Sequence, residues 1–230
     1  MNKKLFLFDI DGTLLSPGLL PRQILNRALA DLAGASPDLQ FVDVAGLTDP
    51  LIISNALQKL GITDGLLPVL ERRVLERYLD ELERDFPYSD LPVLYQDAVD
   101  FLGAVELAGH ATALLTGNVE RGAIIKLGRF GLFRRFAFGV YGSDSGERSD
   151  LPGIARERAQ QVLGIDFSFS DLVIVGDTPN DARIACQTGA RSVIVCRRPD
   201  WEAEIRAAGA DIIVDNLNDT RRLLELTAAF

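Results

Sequence analysis

Two aspartates, Asp9 and Asp11, stand directly behind four consecutive apolar residues in the stretch KLFLFDIDGTLL. In a strand, side chains alternate between faces, so both carboxylates would share one side while Ile10 turns to the interior. Like charges held that close cost free energy unless a cation or a shared proton relieves them. Taken alone, the stretch has a second reading, because Asp-Gly between apolar runs is also a hairpin signal.

Two further polar clusters follow apolar runs. ATALL ends in Thr116, Gly117 and Asn118, and LVIVG ends in Asp177, Thr178, Pro179, Asn180 and Asp181. Each by itself also reads as a set of helix-capping residues. In an open parallel sheet, however, ligands bind outside the carboxyl ends of the strands, where the strand order reverses. Three polar clusters at strand ends would therefore converge on one place.

The elements that must bring them there alternate along the chain. From about residue 93, YQDAVDFLGAVELAG reads as helix, ATALLT as buried strand, VERGAIIKLGRFG as helix and FAFGVY as strand. LPGIARERAQQVLG is then helix and DLVIVGD strand. NDARIACQTG, SVIVC, DWEAEIRAAG and DIIVD continue as helix, strand, helix and strand, with a last helix after Asn218. This pattern predicts an α/β fold, a doubly wound parallel sheet of Rossmann-like form with helices on both faces. Residues 15–92 break the rhythm with three helical segments and no convincing strand. We expect them to form an inserted all-helical unit, leaving residues 1–14 and 93–230 as the sheet domain.

The 230 residues carry a net charge of −9, which gives no basic footprint for a nucleic-acid backbone or an anionic membrane. The acids at Asp9 and Asp11 interrupt the first apolar run too early for a secretory signal, and no stretch is long enough to span a bilayer. Cys186 and Cys196, the two cysteines, have neither metal-ligand nor redox spacing. They read as reduced, buried thiols, which fits a cytoplasmic address. His110 is the sole histidine and lies between a helix end and a strand, so histidine triads and histidine-rich metal sites are not expected.

The whole chain resembles the haloacid dehalogenase superfamily, in its phosphoglycolate-phosphatase-like branch with a helical cap inserted after the first motif. DIDGTLL matches the first motif, LLTGN the second and VGDTPND the fourth, in the family's order. The third motif departs from the pattern. Where the branch usually places a lysine, GSDSGERSDLPGIARERA has none, and Arg148 is the best placed cation. A guanidinium can grip phosphate oxygens bidentately, although a solvated loop arginine also fits the position.

The resemblance implies a phosphatase that hydrolyses a small phosphorylated metabolite, phosphoglycolate-like or a sugar phosphate. Asp9 would be the nucleophile, forming an aspartyl phosphate that splits one hard displacement into two. Mg2+ held by Asp9, the backbone carbonyl of Asp11 and Asp177 would offset the anionic charge, since Mg2+ favours oxygen donors. Asp181 would orient water ligands or pair with Arg148. Thr116, Gly117 and Asn118 would receive phosphate oxygens. By the same resemblance Asp11 is the acid–base residue, and dehalogenase chemistry is disfavoured because dehalogenases lack an aspartate there. In the VAGLTDP loop, Thr48 and Asp49 read either as substrate contacts from the cap or as the N-cap of the next helix.

Two other functions share these features. A phosphomutase of the β-phosphoglucomutase type uses the same aspartate pair, and a receiver-like signalling domain also sets acids at parallel strand ends, although it lacks the helical insert. A dinucleotide-binding module is excluded by the absence of a G-x-G-x-x-G turn after any expected strand. The expected assembly is a monomer or homodimer.

Overall fold

The computed structural model describes residues 3–229. Met1, Asn2 and Phe230, the extremities of the expected sheet domain, lie outside the described residues. The first strand, β1 (Leu5–Phe8), is buried along its whole length. Its Leu5 and Leu7 enter one apolar cluster and its Phe6 and Phe8 another, which is how a parallel strand covered on both faces comes to read as an unbroken apolar run.

In chain order there follow β2 (Leu15–Ser16), α1 (Leu20–Ala33), α2 (Asp49–Lys59), α3 (Leu67–Asp85), β3 (Val93–Leu94), α4 (Gln96–Leu107), β4 (Ala111–Leu115), α5 (Glu120–Gly128) and β5 (Gly139–Val140). The chain continues through α6 (Leu151–Leu163), β6 (Leu172–Gly176), α7 (Pro179–Thr188), β7 (Arg191–Val195), α8 (Glu202–Ala207), β8 (Ile212–Val214) and α9 (Thr220–Ala228). Prolines open α1, α3, α6 and α7, where the missing N–H would have had no helical partner.

Among the described residues six strands form a parallel sheet in the order β5-β4-β1-β6-β7-β8. From β1 the chain builds to one side with β4 and β5, then to the other with β6, β7 and β8. The order therefore reverses at β1, and the crevice lies at the carboxyl ends of β1, β4 and β6. Phe101 and Leu102 of α4, Leu127 of α5 and Leu223 of α9 cover the Phe6 and Phe8 face. Leu151 and Ala155 of α6 and Ile184 of α7 cover the face of Leu5 and Leu7.

Helices α1 to α3 bury a core of their own. Ile24 and Leu29, Ile53 and Leu57, and Val74 and Leu82 meet there, joined by Val119 and by Ile125 from α5. Thus α5 is covered by the sheet on one side and by the helical unit on the other. The stem of this unit is a two-residue antiparallel ladder, Leu15 opposite Leu94 and Ser16 opposite Val93, so the segment expected to be free of strands contains β2.

FAFGVY forms a strand only at Gly139–Val140. Its flanking Phe136 and Tyr141 turn into the core, leaving a short sheet edge. Cys196 is buried as expected, but Cys186 on α7 is exposed, because its helix turns that position outward between the buried Ala185 and Ala190. His110 accepts a hydrogen bond at Nδ1 from the Lys4 amide and packs on Phe6, a structural role. Among the described residues no helix is long and apolar enough to cross a membrane.

Candidate active site

Asp9 follows β1 directly and keeps the ladder going, its N–H donating to the Val175 carbonyl at 2.9 Å. Asp9 is 5% exposed, and its carboxylate receives Arg148 Nη2 at 2.9 Å. The same nitrogen lies 2.6 Å from Asp181 Oδ1. Arg148 sits in the short helical turn Arg148–Asp150 that leads into α6. It is buried, so the solvated-loop alternative does not describe it. Burial works against its charge, and Asp181 and Asp9 more than offset that, holding the guanidinium firmly protonated.

Asp177 follows β6, and Asp181 occupies the first turn of α7. Thr178 caps that helix in a capping box, with Asp181 Oδ2 accepting from the Thr178 amide at 3.0 Å and from its hydroxyl at 2.7 Å. One Asp181 oxygen thus serves the helix and the other faces Arg148. Thr13 Oγ1 donates to Asp177 Oδ1 at 3.2 Å. Gly12, at φ +87°, leaves the space that Asp177 fills, since a Cβ there would lie 2.1 Å from Asp177 Oδ2.

Asp9, Asp177 and Asp181 each place a carboxylate oxygen within 4.8 Å of the others, all buried. Burial first, then the charges of Asp181 and Asp9, push Asp177 well above the usual carboxylate range. Burial raises Asp181 as well, against the pull of Arg148. One guanidinium among three carboxylates leaves a surplus of negative charge, and the donors are all hard oxygens. That donor set fits a small divalent cation such as Mg2+.

Asp11 points elsewhere. Its Oδ2 accepts from Asn118 Nδ2 at 3.1 Å and forms a close ion pair with Lys126 Nζ. Its Oδ1 is buried without a hydrogen-bond partner. Lys126 also donates to Asn118 Oδ1 at 2.5 Å, and Asn118 Nδ2 reaches Thr116 Oγ1 at 3.0 Å. Burial pulls the Lys126 ammonium down, but Asp11, Tyr78 and Asp49 together hold it above its ordinary value. Sequence reasoning missed Lys126, which lies on α5 away from every motif.

The helical unit closes over this edge of the sheet. The Asp49 amide donates to the Gly117 carbonyl at 2.8 Å, and Asp49 Oδ2 accepts from the Val119 amide at 2.9 Å. Asn180 Nδ2 donates to the Gly46 carbonyl at 2.8 Å. The approach at Gly117 is so close that a Cβ there would lie 2.1 Å from the Leu47 carbonyl oxygen. Thr48 is the N-cap of α2, accepting from the Leu51 amide, and its hydroxyl donates to the Gly146 carbonyl at 3.1 Å. The capping reading therefore describes Thr48, while Asp49 ties the loop to the start of α5. Burial raises Asp49 to about 6, opposed by Lys126 and the Val119 N–H.

A wound parallel sheet with acids gathered at its reversal point, beneath an inserted helical unit, is the framework of one hydrolase class. The haloacid dehalogenase-like hydrolase family matches residues 3–187, and the chain belongs to it. It is 28% identical over 218 residues to a phosphoglycolate phosphatase of Vibrio vulnificus, an alignment spanning 93% of this chain and 92% of that one. Its fold is similar to that of a predicted phosphatase from Clostridium acetobutylicum, with a TM-score of 0.74 at 18% identity, covering 98% of this chain and all of the other. It is also similar to a variant of CbbY from Rhodobacter sphaeroides in complex with xylulose-1,5-bisphosphate, with a TM-score of 0.70 at 19% identity over 95% and 96% of the two chains.

Proposed function

We propose that this hydrolase is a Mg2+-dependent phosphatase that cleaves the phosphate monoester of a small metabolite through an aspartyl phosphate on Asp9. The observation that carries the reading is the division of the first-motif pair. Asp9 faces Arg148 and the Asp177 and Asp181 carboxylates, whereas Asp11 faces Lys126 and Asn118. Two adjacent acids with separate partners can do separate jobs.

In the first half of the reaction an Asp9 oxygen attacks phosphorus. Arg148 holds that carboxylate in line and offsets phosphoryl charge in the transition state. The Gly117 amide and the Thr116 hydroxyl receive equatorial phosphate oxygens. Asp11 gives its proton to the leaving alkoxide as the ester P–O bond breaks. In the second half Asp11 takes a proton from the water that attacks the acyl phosphate, which frees inorganic phosphate and restores both carboxyl groups. Mg2+, held by Asp9, Asp177 and the Asp11 carbonyl with Asp181 behind them, would neutralise the charge that gathers between nucleophile and phosphate.

The helical unit of residues 15–92 serves as the cap that excludes water and contacts the leaving group. Relatives named as phosphoglycolate phosphatases support the substrate class, a small phosphorylated metabolite such as a phosphorylated hydroxycarboxylic acid. The test is a phosphate-release screen over such metabolites with Mg2+. Release without any bisphosphate activator is expected, and a strict need for one would favour a phosphomutase.

A further inference from the structure

On a short helix a lysine ordinarily turns its ammonium to water. Lys126 cannot, because α5 is covered by the sheet through Ala123 and Leu127 and by the cap through Ile125. It is 2% exposed. A buried ammonium is costly unless its donors are matched, and here two of its partners are Asp11 Oδ2 and Asn118 Oδ1. Asn118 closes the arrangement by donating to Asp11 Oδ2 as well. One oxygen of Asp11 therefore has two donors while the other, Oδ1, is buried with none. Torsion about the carboxylate would break both bonds to Oδ2 at once.

We propose that Lys126 is a positioning residue of the reaction. With Asn118 it pins Asp11 so that Oδ1 alone exchanges a proton with the substrate, first giving it to the leaving oxygen as the ester bond breaks, then taking one from the attacking water. Two buried cations are thus divided between the two aspartates, Arg148 for Asp9 and Lys126 for Asp11. The inference rests on the phosphatase reading of Asp11.

The leaving group makes a readout that a scaffolding lysine would not move. An alkyl phosphate expels a poor leaving group that needs a proton, whereas p-nitrophenyl phosphate expels a stable phenolate that does not. The full-length protein with Mg2+ is assayed on both, as parent, Lys126→Met, Lys126→Arg and Asp11→Asn. Each rate ratio comes from one sample, so the amount of folded enzyme cancels. Lys126→Met is expected to lower kcat on the alkyl ester by roughly 10–100-fold, part of the full acid–base contribution, with little change in KM and much less effect on the aryl ester. Lys126→Arg should recover part of the alkyl rate. If Lys126→Met gives no soluble protein, Asn118→Leu must show the same alkyl-selective loss.

Equal losses on the two esters, or an unchanged alkyl rate, would overturn the proposal. If Asp11→Asn shows the alkyl-selective loss and Lys126→Met does not, the role of Lys126 fails and the phosphatase reading stands. If the parent hydrolyses neither ester, both fall.

Discussion

Asp177→Asn should make the metal-free protein more stable at neutral pH and at the same time remove the stabilisation expected from Mg2+ at the proposed site. Asp177, Asp9 and Asp181 bring carboxylate oxygens within 4.8 Å of one another. At an effective dielectric of ~20, each like-charge pair at that separation costs about 3.5 kcal/mol. Two such repulsions act on Asp177, against its attraction to Arg148, so neutralising it should relieve on the order of 1–3 kcal/mol. The sign follows from the raised Asp177 pKa. The group's contribution is fully present below the unfolded carboxylate range and is lost as pH rises through its folded value. Asparagine retains an oxygen for the Thr13 hydroxyl, so little else changes. For a chain of this length the relief corresponds to about 2–12 °C in Tm. Mg2+ at a hundred times its Kd would add about 2.7 kcal/mol to the parent and much less to the variant. Thermal melts followed by circular dichroism, in EDTA and in Mg2+, measure both effects. A variant that melts at or below the parent in EDTA would show that Asp177 is not under net repulsion, and one that keeps the parent's Mg2+ shift would show that Asp177 does not hold the metal.

Arg148→Met leaves Asp9 and Asp181 buried without their cation and should cost about 3–5 kcal/mol in EDTA; urea unfolding that shows almost no loss would contradict the buried pairing. Asp49, raised to about 6, contributes stability that is present below the unfolded carboxylate value and lost as pH rises through about 6. Facing Lys126, Asp11 and Tyr78 and retaining some contact with solvent, it should make Asp49→Asn more stable than the parent by about 1–2 kcal/mol at pH 8, a difference that shrinks toward pH 4. A difference that does not vary with pH would rule this out. Gly117→Ala places a methyl against the Leu47 carbonyl and should push the cap loop away, lowering kcat/KM at a stability cost of about 1–3 kcal/mol; unchanged kinetics would show that the loop contact is not needed for turnover.

The sheet was legible because a parallel strand buried on both faces reads as an unbroken apolar run, as in LFLF and LVIVG, and because helices with their own periodicity separate those runs. Asp9 and Asp177 were legible as strand-end acids for the same reason, and Asp181 as the last acid of the polar cluster that follows β6. Arg148 had to be inferred from a gap in the family pattern, and the structure sets it between Asp9 and Asp181. Lys126 was not legible. Its neighbours Ile125 and Leu127 gave the only signal, since a helix with apolar residues on two sides has little solvated face to offer a lysine. Asp49 was singled out in the VAGLTDP loop, but its partner was hidden, because what it does depends on an amide 70 residues away. Periodicity reports which face of an element is buried, not which other element buries it.

On the proposed reading, Asp9 and Asp11 divide nucleophilic and acid–base work. Phosphate release from the best metabolite, set beside Mg2+ affinity, is to be compared in the parent, Asp9→Asn and Asp11→Asn proteins. Asp11→Asn also takes the countercharge from the buried Lys126, so its melting temperature is measured in parallel. Asp9→Asn is expected to abolish turnover. Asp11→Asn should bind Mg2+ as the parent does, through its backbone carbonyl, yet turn over roughly 10²–10⁴-fold more slowly. Near-normal turnover by a folded, Mg2+-bound Asp11→Asn protein would show that Asp11 does no acid–base work.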